Sequence, residues 1–233
     1  MSFDLETFLS FIQMYAKRLE ELQEVLNILD NRIGDGDHGT NMVRGFNFAV
    51  RQLHEQPPSD LGSACNTVAM ALLAHVGGAS GPLYGTVFMK LAGIFQQQTE
   101  VDKVTWIKAM EAAKAGIVQR GKAKFGDKTM LDVWEPAVAY LLGAHSGTQH
   151  ETHSEIQSES QREEACEEWV QEVEVAVLAT RDRIAKKGRA AYLGPRSQGT
   201  CDPGSVSSGL FFELLSYVYN GGGELIPWET RVL

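Results

Sequence analysis

The chain has 233 residues and a formal net charge of −9, with 43% hydrophobic and 22% charged residues. This length and composition predict one globular domain spanning residues 1–233 with a substantial core. The acidic balance argues against nucleic-acid binding, which needs a basic face. No apolar run reaches the roughly 18–20 residues that a membrane-spanning helix needs, so we expect a soluble protein with no membrane partner.

Two further patterns bear on the compartment. The N-terminus is acidic and amphipathic, whereas a secretory signal has a basic start and a compact apolar stretch. The three cysteines, Cys65, Cys166 and Cys201, are widely spaced and form neither a disulfide framework nor a zinc-binding pair. Both patterns indicate a cytoplasmic protein.

The first thirty residues are predicted to form one amphipathic helix. Their apolar residues recur every three or four positions from Leu5 to Leu29, and this stripe ends at Asp30. A turn rich in glycine and aspartate follows at 31–39. Thr40 or Asn41 would then cap a second helix that continues to Val50.

The rest of the chain also alternates between helical patterns and loops. Pro57 and Pro58 break the helical pattern, and residues 144–165 are polar enough to predict a loop or frayed helix end. Further helices are predicted at about 61–76, 84–97, 103–120, from 129, 169–184 and 205–219, with loops at 77–82, 121–128 and 188–204 between them. Because alternating strand patterns are almost absent, the sequence predicts an all-α fold of about eight helices.

Asp30, Asp35 and Asp37 lie within eight residues of one another, with Gly34, Gly36 and Gly39 interleaved. Carboxylates held this close repel each other unless a cation neutralises them, and Mg²⁺ prefers such oxygen ligands. The free N–H groups at the start of the next helix would favour an anion. Together these features are typical of a site for magnesium and a di- or triphosphate.

Other interpretations of the same segments are weaker. The aspartate turn could be an exposed acidic helix cap. Residues 34–39 also match the dinucleotide fingerprint G-x-G-x-x-G, although a helix rather than a strand precedes them. An EF-hand fails on register, because Asn41 or Phe46 would occupy the place of the bidentate glutamate. Residues 116–123 approach a P-loop but end in Ala123 instead of Ser or Thr.

Four segments make the sequence more specific, and in chain order they read LDNRIGDGDHGTNM, GGASGPLYGT, GKAKFGDKTMLDVW and GRAAYLGPRSQGTCDPGS. Together they resemble the nucleotide-binding L subunits of the dihydroxyacetone kinases over nearly the whole chain. The resemblance implies an up-and-down barrel of eight antiparallel helices whose loops hold the nucleotide and two magnesium ions at one end. His38, where related fatty-acid kinase domains have threonine, favours the dihydroxyacetone branch.

The resemblance also implies roles for individual residues. Asp30, Asp35 and Asp37 would bind the metals, and Arg189 would act on the transferred phosphoryl group. The residues expected to contact the nucleotide are His38, Gly39, Thr40, Asn41, Ala79, Ser80, Gly121, Met130, Arg189, Asp202, Pro203 and Gly204. The sequence departs from the family in the length of its polar segment at 144–165 and in having no second domain for the triose.

A free-standing L subunit of this kind resembles the bacterial three-component system. That similarity implies transfer of a phosphoryl group from Mg-bound ATP to dihydroxyacetone on a partner K subunit. A phosphohistidine protein of the phosphotransferase system would then rephosphorylate the bound ADP. Two alternatives remain open: a two-chain ATP-dependent kinase for a related sugar such as erythrulose, and a module whose nucleotide state is read by a transcription regulator.

Overall fold

The structure, a computed structural model, describes residues 3–146 and 159–233. Its helices are α1 (Leu5–Glu21), α2 (Gln23–Ile33), α3 (His38–Glu55), α4 (Leu61–His75), α5 (Ser80–Ile94), α6 (Lys103–Gly121), α7 (Leu131–Ser146), α8 (Glu159–Ala179), α9 (Pro203–Asn220) and α10 (Trp228–Val232). A 3-10 helix at Arg189–Ser197 and two short antiparallel strands, β1 (Phe3–Asp4) and β2 (Glu100–Val101), complete these elements. Most of the predicted polar segment, residues 147–158, lies outside the described residues.

The predicted first helix is interrupted at a single residue. Leu22 leaves helical geometry with φ −103° and ψ 9°, although its N–H still donates to the Arg18 carbonyl at 3.1 Å. The apolar stripe continues through the break, because Leu19, Leu22 and Leu26 are all buried. The prediction of one continuous helix was therefore wrong at this point, while the predicted buried face is confirmed.

The start of α3 also differs from the prediction. The helix begins at His38, and neither Thr40 nor Asn41 caps it. Instead, the Asp30 carboxylate accepts hydrogen bonds from the N–H groups of Asp37 (2.9 Å) and His38 (3.2 Å). A carboxylate seven residues upstream thus satisfies N–H groups at the start of the helix, where the N-cap residue Asp37 forms no side-chain cap hydrogen bond.

The helices close into a ring. From α3 to α9 each helix packs on the next in sequence, and α1 contacts both α3 and α9. The connections from α2 to α7 have at most nine residues, and such short connections make neighbouring helices antiparallel. If α1 and α2 count as one interrupted helix, eight long helices form the ring within the described residues, and the all-α prediction is confirmed. No helix of the described part is both long and apolar enough to span a bilayer.

An aromatic cluster fills the interior of the ring. Tyr15 packs edge-on against Phe46 at 4.7 Å between ring centroids, and Phe211 of α9 lies 5.0 Å from Phe11 and 5.3 Å from Trp134. All of these side chains are at most 1% exposed. Burial of this apolar surface is the main stabilising contribution to the fold.

The up-and-down arrangement places alternate connections at the same end. We call this the site end; it carries the first loop (34–37), the second loop (76–79), the third loop (122–130) and the fourth loop (180–202). The strand pair lies at the opposite end, where the Leu61 N–H also donates to the Gln98 carbonyl at 2.8 Å. The ring thus provides a rigid support for four loops that are far apart in sequence.

Candidate functional site

The first loop brings its three aspartates together. Asp30, Asp35 and Asp37 each offer an oxygen ligand, and these atoms all lie within 4.8 Å of one another. Asp35 and Asp37 are exposed, whereas Asp30 is half-buried. The sequence prediction that these side chains converge is confirmed, and the arrangement provides oxygen ligands suited to a hard divalent cation.

Glycine at position 34 is required by the position of Asp30. A Cβ at Gly34 would lie 2.2 Å from Asp30 Oδ1, far inside van der Waals contact. Its neighbour Gly36 has φ +78°, a left-handed conformation that glycine adopts without strain. The chain can therefore fold back over the Asp30 carboxylate and expose two further aspartates beside it.

His38 connects three parts of the site end. Its Nδ1 lies 3.1 Å from Ser80 Oγ at the start of α5, and its Nε2 lies 3.0 Å from Ser207 Oγ on α9. Because the Ser207 hydroxyl donates to the Gly204 carbonyl, the consistent tautomer carries its hydrogen on Nε2 and accepts from Ser80 at Nδ1. Burial lowers the pKa of His38 to about 4, so the ring is neutral near pH 7.

The hydroxyls around His38 form a buried network. Tyr84 shares hydrogen bonds with Ser207 (2.9 Å) and Ser208 (3.1 Å), and the Trp134 indole N–H donates to Ser208 at 3.1 Å. Tyr15 donates to the Ser207 carbonyl at 2.9 Å. No sequence pattern indicated this network, because these serines lie in a helix whose pattern predicts only an apolar core.

The remaining candidates on α3 face two directions. Thr40 packs against α2: its N–H donates to Asn27 Oδ1 and its hydroxyl accepts from Asn27 Nδ2, both at 3.0 Å. Gly39 approaches the same helix so closely that a Cβ would lie 2.2 Å from the Gln23 carbonyl oxygen. Asn41 instead faces the second loop, since a Cβ on Gly77 would lie 3.1 Å from its Oδ1.

The second loop leads directly into α5, and Ala79 is exposed at the N-cap position. α5 therefore begins at Ser80 rather than near Tyr84 as predicted. Gly121 ends α6 beside this helix, and a Cβ there would lie 3.3 Å from Leu83 Cδ2. The second and third loops are thus neighbours at the site end.

The third loop in turn contacts the start of α9. A Cβ on Gly204 would lie 3.6 Å from the Met130 Cβ, and the Ser205 hydroxyl donates to the Thr129 carbonyl at 2.9 Å. Asp202 caps α9 by accepting the Ser205 N–H at 2.7 Å, and Pro203 occupies the first helical turn, where its missing N–H costs little. Burial raises the pKa of Asp202 to about 7.

Arg189 joins the fourth loop to the first. It begins the 3-10 helix, and its guanidinium forms an ion pair with the Asp35 carboxylate. Both side chains remain exposed to solvent. The structure therefore brings a cation from a distant loop to the aspartate cluster.

Three charged residues that no sequence pattern identified join the third and fourth loops. Lys128 is fully buried, and its ammonium donates to backbone carbonyls of the fourth loop. Asp132 is also fully buried; it forms an ion pair with Arg183 and accepts the N–H groups of Gly126 and Thr129. A lysine or arginine in a glycine-rich loop gives no sequence signal that distinguishes such a role from a solvated one.

Comparison with known proteins identifies the family. The model of the DAK2 domain matches residues 32–217, which are most of the chain. The chain belongs to the DAK2 domain family. This match covers all four loops of the site end, whereas Asp30 and most of α2 precede it.

Two relatives of similar length are named as ADP-binding subunits of dihydroxyacetone kinases. The chain is 39% identical to the Listeria innocua PEP-dependent dihydroxyacetone kinase 1, ADP-binding subunit DhaL, over 92% of this chain and 97% of the relative. It is 37% identical to the corresponding ADP-binding subunit DhaL of Escherichia coli, over 83% of this chain and 87% of that protein.

A solved structure shows the same fold. The dihydroxyacetone kinase of C. freundii, in complex with AMP-PNP and Mg²⁺, superposes with a TM-score of 0.64 and 23% sequence identity. The match covers 89% of this chain and 33% of the kinase. This DAK2 domain chain thus has the fold of one part of a larger kinase.

Proposed function

We propose that the chain is the nucleotide-binding subunit of a dihydroxyacetone kinase that depends on the phosphotransferase system. The observation that carries the proposal is the convergence of three aspartates and Arg189 at the site end. The names of the similar Listeria and E. coli subunits support both the nucleotide and the phosphoryl donor. The cytoplasm is the compartment in which we expect it to act.

The aspartate cluster fits magnesium by the chemistry of its donors. Asp30 Oδ2 already accepts two backbone N–H groups, so its Oδ1 is the oxygen left for a metal, together with the exposed oxygens of Asp35 and Asp37. We infer that two Mg²⁺ ions bind here. When bound, they would neutralise the phosphate oxygens of the nucleotide.

The other loops would hold the nucleotide. His38, Gly39, Thr40 and Asn41 would lie against the phosphates. The N–H groups of His38 and Thr40 already donate to Asp30 and Asn27, so the family resemblance, and not the start of α3, supports this placement. Ala79 and Ser80 would contact the nucleotide at the start of α5, because a helix N-terminus favours an anion. The third and fourth loops, with the helix ends that flank them, would complete its surroundings through Gly121, Met130, Asp202, Pro203 and Gly204.

Arg189 is the residue we assign to the reaction itself. Asp35 would hold magnesium with the carboxylate that now pairs with Arg189, so the Arg189 guanidinium would be free to bind a phosphate oxygen. The phosphoryl group would pass from ATP to a hydroxyl oxygen of dihydroxyacetone, whose proton goes to the partner K subunit. We assign no general base to this chain, since positioning and charge neutralisation account for most catalysis of phosphoryl transfer.

The resulting ADP would stay bound and be rephosphorylated by a phosphohistidine protein, whose N–P bond breaks as ATP is restored. The fourth loop suits such an anionic partner. Residues 183–201 contain no acidic residue, although the whole chain has a net charge of −9. Lys186, Lys187 and Arg196 are exposed there, and Tyr192 is 90% exposed. Aromatic residues and arginine are enriched at protein interfaces, and basic side chains such as these lysines would steer an anionic partner to the surface.

Native mass spectrometry before and after dialysis against a chelator tests the proposal. We expect a species heavier by ADP and two magnesium ions, which is lost only on chelation. Asp35→Asn should lose metal and nucleotide together, while Asp182→Asn, an exposed carboxylate of the fourth loop, should retain both. A folded protein that binds neither nucleotide in the presence of magnesium would contradict the proposal.

The same experiment addresses the alternatives. A nucleotide-free protein that binds Mg·ATP reversibly would favour the two-chain ATP-dependent kinase. A transcription regulator as an additional partner stays a prediction, and a binding assay with the ADP and ATP forms would test it.

A further inference from the structure

The side chain of Lys128 is fully engaged by the fourth loop. It is 1% exposed, and its Nζ donates to the carbonyl oxygens of Arg183 (3.2 Å), Thr200 (2.7 Å) and Ser197. An ammonium group has three hydrogens to donate, so these carbonyls satisfy it completely. Lys128 therefore has no donor left for a phosphate, although it lies in a glycine-containing loop at the site end.

The backbone at Lys128 is held in an unfavourable conformation. Its φ of +62° lies in the left-handed region, which residues with a Cβ rarely adopt. Such a conformation persists where the surrounding contacts determine it, and it is frequent at functional sites. Here the contacts come from a loop 55 to 72 residues further along the chain.

A second set of contacts joins the same two loops. Asp132 accepts the N–H groups of Gly126 (2.6 Å) and Thr129 (2.7 Å) and pairs with Arg183. The Lys186 N–H also donates to the Asp127 carbonyl at 3.0 Å. Without Lys128, two buried carbonyls and one partly buried carbonyl of the fourth loop would lose this donor, which favours rearrangement of that loop.

We propose that Lys128 is a positioning residue for nucleotide binding, which fastens the third loop to the fourth so that both present one preformed surface. It touches neither metal nor nucleotide. Its effect passes through Gly121 and Met130 on one side and Arg189 on the other. The inference rests on the proposed function, because those are the residues that would contact the nucleotide.

The test compares Lys128→Met with two controls by calorimetric titration of Mg·ADP, well below the unfolding midpoint of each variant. Lys114→Met makes the same chemical change at a lysine that pairs with Glu135 at 3.0 Å on α6 and α7. Glu213→Gln perturbs a buried carboxylate of α9 that accepts the Trp228 indole N–H at 2.9 Å. We expect only Lys128→Met to raise the Kd of Mg·ADP, by about tenfold or more, because binding must then order the loops.

Lys128→Gln makes the test independent of whether Lys128→Met folds. Its amide keeps two donors for the three carbonyls, so an intermediate rise in Kd is expected. A Kd equal to that of the wild type in either variant, or an equal rise in Glu213→Gln at matched thermal stability, would overturn this inference alone. Failure of the wild-type chain to bind Mg·ADP would overturn both this inference and the proposed function.

Discussion

The guanidinium of Arg189 forms an ion pair with the carboxylate of Asp35, and so links the fourth loop to the first. The pair is exposed, so its direct contribution to stability is small. It matters because the same carboxylate belongs to the cluster that would bind magnesium, so that a metal and an arginine compete for one oxygen ligand.

This competition predicts effects of opposite sign for Arg189→Met. Magnesium alone should bind as tightly as in the wild type or tighter, because the competing cation is gone. Mg·ADP should bind roughly tenfold to a hundredfold more weakly, since a charge-assisted hydrogen bond to phosphate is lost. Calorimetric titration with each ligand measures both effects. Arg196→Met, another exposed basic residue of the fourth loop, serves as control, and parallel weakening of both ligands would contradict the competition.

A matched pair of glycines tests the geometry of the first loop. Gly34→Ala should weaken magnesium binding, because the new methyl group would displace Asp30 Oδ1. Gly93→Ala places a Cβ in open space on α5 and should leave metal binding unchanged, while stabilising the helix by about 0.5–1 kcal/mol. Titration with Mg²⁺ and thermal unfolding give the two readouts. Equal metal affinity in both variants would show that Asp30 is not a ligand.

Asp202 predicts a dependence of stability on pH. Its pKa is raised from 3.8 to about 7 in the folded state, so the folded state disfavours the charged carboxylate. The contribution of this group is therefore most favourable below pH 4 and declines as pH rises toward 7. The free energy of unfolding lost as Asp202 ionises is at most about 4 kcal/mol. Because solvent still reaches part of the residue, we expect the actual loss to be smaller.

Asp202→Asn keeps an N-capping side chain but cannot ionise. Relative to the wild type, it should gain stability between pH 5 and pH 8 in the metal-free, nucleotide-free protein. Asp60→Asn is the control, because hydrogen bonds lower the pKa of Asp60 and its stability difference should stay constant over that range. Denaturant unfolding at each pH measures the effect, and a constant difference for Asp202→Asn would disprove the shift.

If the basic face of the fourth loop binds the phosphohistidine protein, charge reversal there should slow rephosphorylation without weakening the binding of ADP and magnesium. The double variant Lys186→Glu with Lys187→Glu should slow rephosphorylation of bound ADP by the phosphohistidine subunit, and the slowing should diminish at high salt. Retention of ADP and magnesium should be unaffected, since neither lysine is a proposed ligand. Charge reversal at Lys17 and Lys108, on α1 and α6, is the control. An unchanged rephosphorylation rate would place the partner on another surface.

The sequence predicted those parts of the site that depend on local patterns. The aspartates lie in one short turn, so their convergence follows from glycines that let the chain fold back. Periodicity likewise predicted the buried face of α1 and α2. The start of α3 was predicted wrongly at Thr40 or Asn41, because the cap comes from Asp30 rather than from an adjacent residue.

The parts that could not be predicted depend on partners distant in sequence. Lys128 resembles any loop lysine until the carbonyls of residues 183, 197 and 200 surround it. Ser207 lies 169 residues from His38, and no local pattern marks a buried serine on an apolar helix as its partner. Long-range hydrogen bonds of this kind require the fold before they can be recognised.

The packing of α9 on α1 determines when the nucleotide site can form during folding. That contact joins helices near the two ends of the described chain. Its formation therefore costs more loop-closure entropy than local contacts do, and it forms late in a sequential folding route. The ion pair between Asp35 and Arg189 and the hydrogen bond between His38 and Ser207 depend on the same closure. A growing polypeptide on the ribosome would therefore carry the whole aspartate turn and yet capture no nucleotide until its last long helix had emerged and docked.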